Sequence, residues 1–207
     1  CWWWWWGAAA AAATDAAAPV VVSDGDADGK PRWPSSSAGY RLCELVGKGG
    51  SARVHRAVCT ALDDMQCAVK VIKLDDANVS LDVLRREIQT LGLLSHANVV
   101  EYHASYVDGD SLYMVMDYLD AGSILDLMKY KFAKGLDEPV CATVLRESLK
   151  GVAYLHSTGR IHRDIKAGNI LMSMAGDVKL ADLGVSAWLE AGVNNKGGGG
   201  GGGGGGG

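Results

Sequence analysis

The chain has 207 residues, 48% hydrophobic and 21% charged, the makeup of a globular protein with room for one domain. A formal charge of −4 gives no electrostatic case for binding nucleic acid or an anionic membrane surface. No apolar run reaches the roughly 18 residues of a membrane span, and five cysteines without a C-x-x-C pair suit a reducing, cytoplasmic setting better than a disulfide or zinc framework.

Three zones separate by composition. Residues 1–39 are low in complexity: tryptophan at 2–6, alanine at 8–13, then Ser, Asp, Gly and Pro. With no helical or strand period to build a core, this zone is expected to be disordered. It lacks the basic start of a signal peptide. Residues 190–207 run into unbroken glycine, expected to be flexible coil. A TGG repeat encodes tryptophan in one frame and glycine in another, so both terminal tracts read as translated simple-sequence DNA.

The middle zone, 40–189, is periodic. Strands are predicted at 40–46 and 53–59 around a glycine turn, and at 66–74. A helix follows at 80–95, with Leu81, Leu84, Ile88 and Leu91 three and four apart. A hairpin-like pair at 99–106 and 111–118 turns at Asp108-Gly109-Asp110. Helices are predicted at 124–131 and 138–157, the latter with Val144, Leu145, Leu149, Val152 and Leu155 on one broad face. A short strand closes the zone at 178–181. Strands first and helices later point to two lobes.

Gly47-Lys48-Gly49-Gly50-Ser51-Ala52 lies in the first turn. Glycines there let backbone N–H groups approach phosphates without Cβ atoms in the way, although a plain hairpin accounts for the same pattern. Lys70, between Val69 and Val71 on the third strand, suits a charge facing a cleft, in reach of phosphate oxygens. Glu87 is either an exposed helix charge or an ion-pair partner for Lys70. The most specific string is His162-Arg163-Asp164-Ile165-Lys166-Ala167-Gly168-Asn169. In it Asp164 can accept a hydroxyl proton, Lys166 can offset phosphoryl charge, and Asn169 can offer an oxygen to Mg²⁺. Asp182, in Asp182-Leu183-Gly184 after the last strand, stands where phosphoryl transfer needs a second metal-holding group.

The order and spacing of these elements resemble a protein kinase. Lys166 resembles the serine/threonine-specific catalytic loop. Residues 112–119, 121–123, 162–171 and 183–187 look like the Sterile-20 (germinal centre kinase) group. Residues 135–138, 142–147 and 166–169 are most similar to its SPAK/oxidative-stress-responsive/Fray branch. The resemblance covers 40 to about 189. It implies an α+β two-lobed kinase fold: an N-lobe of antiparallel sheet plus helix at 40–119, and an incomplete helical C-lobe at 120–189. It further implies ATP and Mg²⁺ as cofactors, with Gly47, Lys48, Gly49, Gly50, Ser51 and Lys70 around the phosphates and Val54, Ala68 and Leu171 against adenine. Met116 would stand behind the base, Asp117 and Leu119 would hydrogen-bond it through backbone, and Ser123 would lie near the ribose. Leu91, Tyr102, His162 and Leu183 would form a hydrophobic column between the lobes. Implied partners are proteins bearing Ser or Thr and an upstream activating kinase. Two departures are mild: Ala52 replaces the third loop glycine, and Leu183 replaces the usual phenylalanine. A third is larger. No A-P-E element follows 189, so this stretch alone is expected to be an inactive piece of such an enzyme; a non-catalytic ATP-binding or scaffold module is the alternative.

Overall fold

The computed structural model describes residues 31–49, 52–74 and 88–183. Five antiparallel strands come first: β1 (Tyr40–Lys48), β2 (Ala52–Cys59), β3 (Met65–Lys73), β4 (Tyr102–Asp108) and β5 (Ser111–Met116), in the order β1-β2-β3-β5-β4. A smaller sheet, β6 (Gly122–Ser123), β7 (Ile170–Met172) and β8 (Val178–Leu180), accompanies helices α1 (Ile124–Tyr130) and α2 (Glu138–Ser157). This is the expected α+β arrangement of a strand-rich lobe followed by a helical one.

The large sheet is buried on both faces, which is why β3 reads as a nearly continuous apolar run rather than an alternation. One face sets Ala68, Ile72, Leu112, Met114 and Met116 in the same core as Ile88 and Leu91, which stand in the helical turn at 88–92. The other gathers Tyr40, Ala57, Cys59, Cys67, Val69, Ala104, Tyr106 and Val115. Residues 31–39, read from sequence as part of the disordered leader, have a place on this second face. Trp33 packs against the cluster, Tyr40 Oη donates to Pro34 O at 2.6 Å, and a 3₁₀ turn, Ser37–Gly39, leads into β1. The remainder of the leader, the glycine tail and most of the helix predicted at 80–95 lie outside the described residues.

The lobes join along 98–100. Val99 bridges Leu180 in parallel, Val100 N donates to Leu180 O at 2.9 Å, and Leu180 N donates to Asn98 O at 2.9 Å. The predicted strand at 99–106 therefore divides: its first residues pair with β8, and β4 begins only at Tyr102. Asn98 Nδ2 reaches Val178 O at 2.9 Å and Glu147 Oε2 on α2 at 3.2 Å. α2 approaches this junction through small residues. A Cβ on Gly151 would fall 2.5 Å from Asn98 O.

The broad apolar face predicted for α2 is corrected. Its buried stripe is Val144, Ser148, Gly151 and Leu155, spaced four, three and four, whereas Leu145 and Leu149 are 58% and 64% exposed. Leu145 lies one residue, about 100° of helix, beyond Val144. Close contact with 98–100 and β8 therefore selects the small-residue stripe.

Candidate active site

β1 and β2 form a hairpin in which Gly47 pairs with Val54 and Lys48 with Arg53, closed by Gly49 N donating to Ala52 O at 2.9 Å. Gly50 and Ser51 lie outside the described residues. β2 in turn sets Val54 opposite Lys70. Strand alternation puts Lys70 on the Ala68–Ile72 side of β3, only 7% exposed, while Val69 faces the other core.

A buried ammonium needs an anion. Lys70 Nζ finds one in Asp182 Oδ1, 2.7 Å away and 112 positions later in the chain. Asp182 turns toward it with a left-handed φ of 60° just after β8. Glu87, the other candidate partner for Lys70, and Gly184 lie outside the described residues.

The loop at 162–169 is tied to the same place. Asn169 Nδ2 donates to Asp164 O at 2.8 Å and to Asp164 Oδ2 at 2.9 Å, and Lys166 Nζ donates to Asp164 Oδ2 at 2.6 Å. The Lys166 bond foremost, then that from Asn169, outweighs partial desolvation and holds the Asp164 carboxyl below its ordinary range. Asn169 O accepts from Ala181 N at 2.9 Å, which sets the loop beside the residue before Asp182. His162, 3% exposed, shares a hydrogen bond of 3.0 Å with Ala181 O. Arg163 carries a φ of 68°.

Met116 pairs across the sheet with Ala68 on β3 and with Tyr102 on β4. Leu91 and Tyr102 share one core, against which Val54, Leu171 and Leu183 pack half-buried. Asp117 and Leu119 follow β5 in the connection to the second lobe. Ser123 is engaged in its own way: it is the N-cap of α1, accepting from Asp126 N at 3.1 Å and donating to Asp126 Oδ2 at 2.5 Å. Its hydroxyl is thus a capping group in this structure.

Sequence reasoning missed Asn98, which locks the lobes, and the pair His103 and Lys179, which both bind the Asp117 carboxylate. Lys179 carried a signal, a lysine between Val178 and Leu180 in an otherwise buried strand. His103 carried none.

Among the described residues no three His, Cys, Asp or Glu side chains converge as a metal cage. Asp182 and Asn169 instead offer one carboxylate and one amide oxygen. That sparse set fits Mg²⁺, which is held by few protein groups together with substrate phosphates.

Comparison with known proteins bears on this geometry. The family profile described as "Protein kinase domain" matches residues 40–198. The serine/threonine-protein kinase fray2 of Dictyostelium discoideum is 50% identical over 163 residues, 77% of this chain and 16% of that protein. Germinal center kinase 3 of Caenorhabditis elegans is 44% identical over 76% of this chain and 28% of its own length. Mitogen-activated protein kinase kinase kinase kinase 3 of Rattus norvegicus is 40% identical over 73% and 17% respectively. The chain therefore spans under a third of the length of each of these relatives.

Proposed function

The chain belongs to the protein kinase family, with Sterile-20-group enzymes among its relatives, and from that premise we propose that its protein transfers the ATP γ-phosphoryl group to Ser and Thr hydroxyls of other proteins. The observation that carries the proposal is the meeting of Lys70 with Asp182, beside Asp164 and Asn169. One buried cation and a group of acidic and amide oxygens, drawn from both lobes, can grip a metal-bound polyphosphate.

In this reading the Lys70 ammonium holds phosphate oxygens of ATP, and Asp182 and Asn169 would hold Mg²⁺. When bound, Mg²⁺ offsets the charge of the phosphates. The glycine turn at 47–52 covers the phosphates, and Val54, Ala68 and Leu171 line the adenine face in front of Met116. Backbone groups of Asp117 and Leu119 hydrogen-bond the base. Ser123 stands near the ribose only if its hydroxyl leaves Asp126. Asp164 orients the substrate hydroxyl and accepts its proton as the oxygen–phosphorus bond forms and the bond to the ADP oxygen breaks. Lys166, already against Asp164, offsets charge on the moving phosphoryl group. A low carboxyl pKa makes Asp164 a weak base, so its contribution is chiefly alignment, with the proton arriving late. The same resemblance supports an upstream activating kinase and a cytoplasmic location. No described helix is long and apolar enough to cross a membrane.

The test is transfer of labelled phosphate from ATP to a Ser/Thr peptide library by the protein carrying this domain. We expect phosphoserine and phosphothreonine, with a loss of about 10²–10⁴-fold in Asp164→Asn while ATP affinity stays near wild type. ATP binding without transfer in the wild type would overturn the enzymatic reading in favour of a non-catalytic module.

A further inference from the structure

The Asp117 carboxylate stands at a crossing of four chain segments. His103 on β4 meets Oδ1 at 2.9 Å through Nε2. Lys179 on β8 donates to Oδ2 at 2.6 Å, and Glu101 N donates to the same oxygen at 3.1 Å. Asp117 N donates back to Glu101 O at 3.1 Å. Behind His103, the Trp33 ring of the leader stacks at 4.4 Å with the planes 5° apart. The burden of partial burial on this carboxyl is outweighed by His103 and Lys179, which hold it down at about 2. It is charged throughout the neutral range.

Position gives these contacts their meaning. Asp117 lies two residues before Leu119 in the connection between the lobes, and Lys179 lies three before Asp182. One carboxylate thus pins both the backbone expected to read adenine and the strand that delivers Asp182. Neither His103 nor Lys179 has a place in the phosphoryl chemistry itself. Trp33, His103, Asp117 and Lys179 all line an open cleft of about 550 Å³, so trimming His103 or Lys179 enlarges solvated space instead of leaving a hole in the core.

We propose that Lys179 and His103, with Trp33 stacked behind, are positioning residues that set the Asp117–Leu119 backbone for the adenine base. The inference rests on the nucleotide-binding reading above and adds to it the groups that discriminate the base. Without the clamp the connecting backbone gains freedom, and binding adenine must then also order it. Phosphate capture through Lys70 and Asp182 depends less on the clamp, because pairing with β7 and hydrogen bonds to 98–100 also hold β8.

Calorimetric titration of the full chain with Mg·ATP and with Mg·tripolyphosphate separates the two. Lys179→Met is expected to weaken ATP binding about tenfold, or about 1.4 kcal/mol, with tripolyphosphate changed less than about twofold. Lys179→Arg, which keeps the charge and reach, should recover ATP affinity to within about threefold of wild type. Trp33→Ala removes the stacked ring together with its packing on the second core and should weaken ATP about threefold, with tripolyphosphate again changed less; it carries the comparison if Lys179→Met loses its native circular-dichroism spectrum. Equal losses for both ligands would show a merely structural role and overturn the proposal. Unchanged ATP affinity in the variants of a wild type that binds ATP overturns the clamp alone. A wild type that binds neither ligand overturns the nucleotide reading and the clamp together.

Discussion

Arg163 and Asp182 hold left-handed backbone, at φ 68° and 60°, within the two motifs proposed to carry the chemistry. A side chain in that region costs about 1–2 kcal/mol, which at Asp182 a tertiary contact offsets. For Asp182 the contact is Lys70. This is why the site is only partly legible in the sequence. The spacing from Asp164 to Asn169 is local and can be read directly; the turn that brings Asp182 to Lys70 depends on tertiary structure and can be placed only by likeness. His103 shows the limit, because nothing around it announces that it binds Asp117. The Asp117 carboxyl offers a pH test at this scale. Its folded pKa of about 2 lies below the ordinary value of 3.8, so the stabilisation is present above about pH 4 and is lost as pH falls through 2. With solvent screening the gain is on the order of 1 kcal/mol. Urea unfolding should show Asp117→Asn less stable than wild type at pH 7, with the gap closing toward pH 2; a gap that persists at pH 2 would show that charge is not its source.

Among the elements, α2 shows most clearly how packing overrides pattern. Five apolar residues suggested one wide face, yet the helix turns Val144, Ser148, Gly151 and Leu155 inward, because Asn98 and Leu180 approach too closely at Gly151 for a larger side chain. Gly151→Ala tests this. Alanine should gain about 0.8–1.0 kcal/mol of helix propensity. The added Cβ, however, would stand 2.5 Å from Asn98 O and 3.0 Å from Leu180 Cδ1, and the first of these is backbone that yields little. Overpacking costs about 1–3 kcal/mol, and a 2.5 Å approach to backbone belongs at the upper end of that range, so the clash wins and we expect a net loss of about 1–2 kcal/mol by thermal denaturation. A stabilised Gly151→Ala would mean that α2 sits farther from Asn98. The strands of the first lobe were easier to read: their predicted and observed limits differ by one or two residues apart from the start of β4, because glycine turns and Asp108-Gly109-Asp110 punctuate them.

At the scale of the whole molecule, two lobes meet where residues 98–100 run beside β8. The two-lobe division was legible in the switch from strand to helix, whereas this junction was hidden inside what read as one strand. It has a kinetic consequence. Val99 and Leu180 are 81 positions apart, so pairing them closes a long loop, and contacts of such long separation close late. Each lobe can gain structure from nearby pairings, and the join that aligns Lys70 with Asp182 comes afterwards. Leu180→Ala, which removes a fully buried side chain from that join, should cost about 2–5 kcal/mol. In stopped-flow urea jumps nearly all of this should appear as faster unfolding, with the refolding rate almost untouched. Slower refolding in proportion to the lost stability would place the junction in the folding nucleus instead. The groups proposed to handle phosphate would then be assembled early, where the native contacts imply that this chain acquires them last.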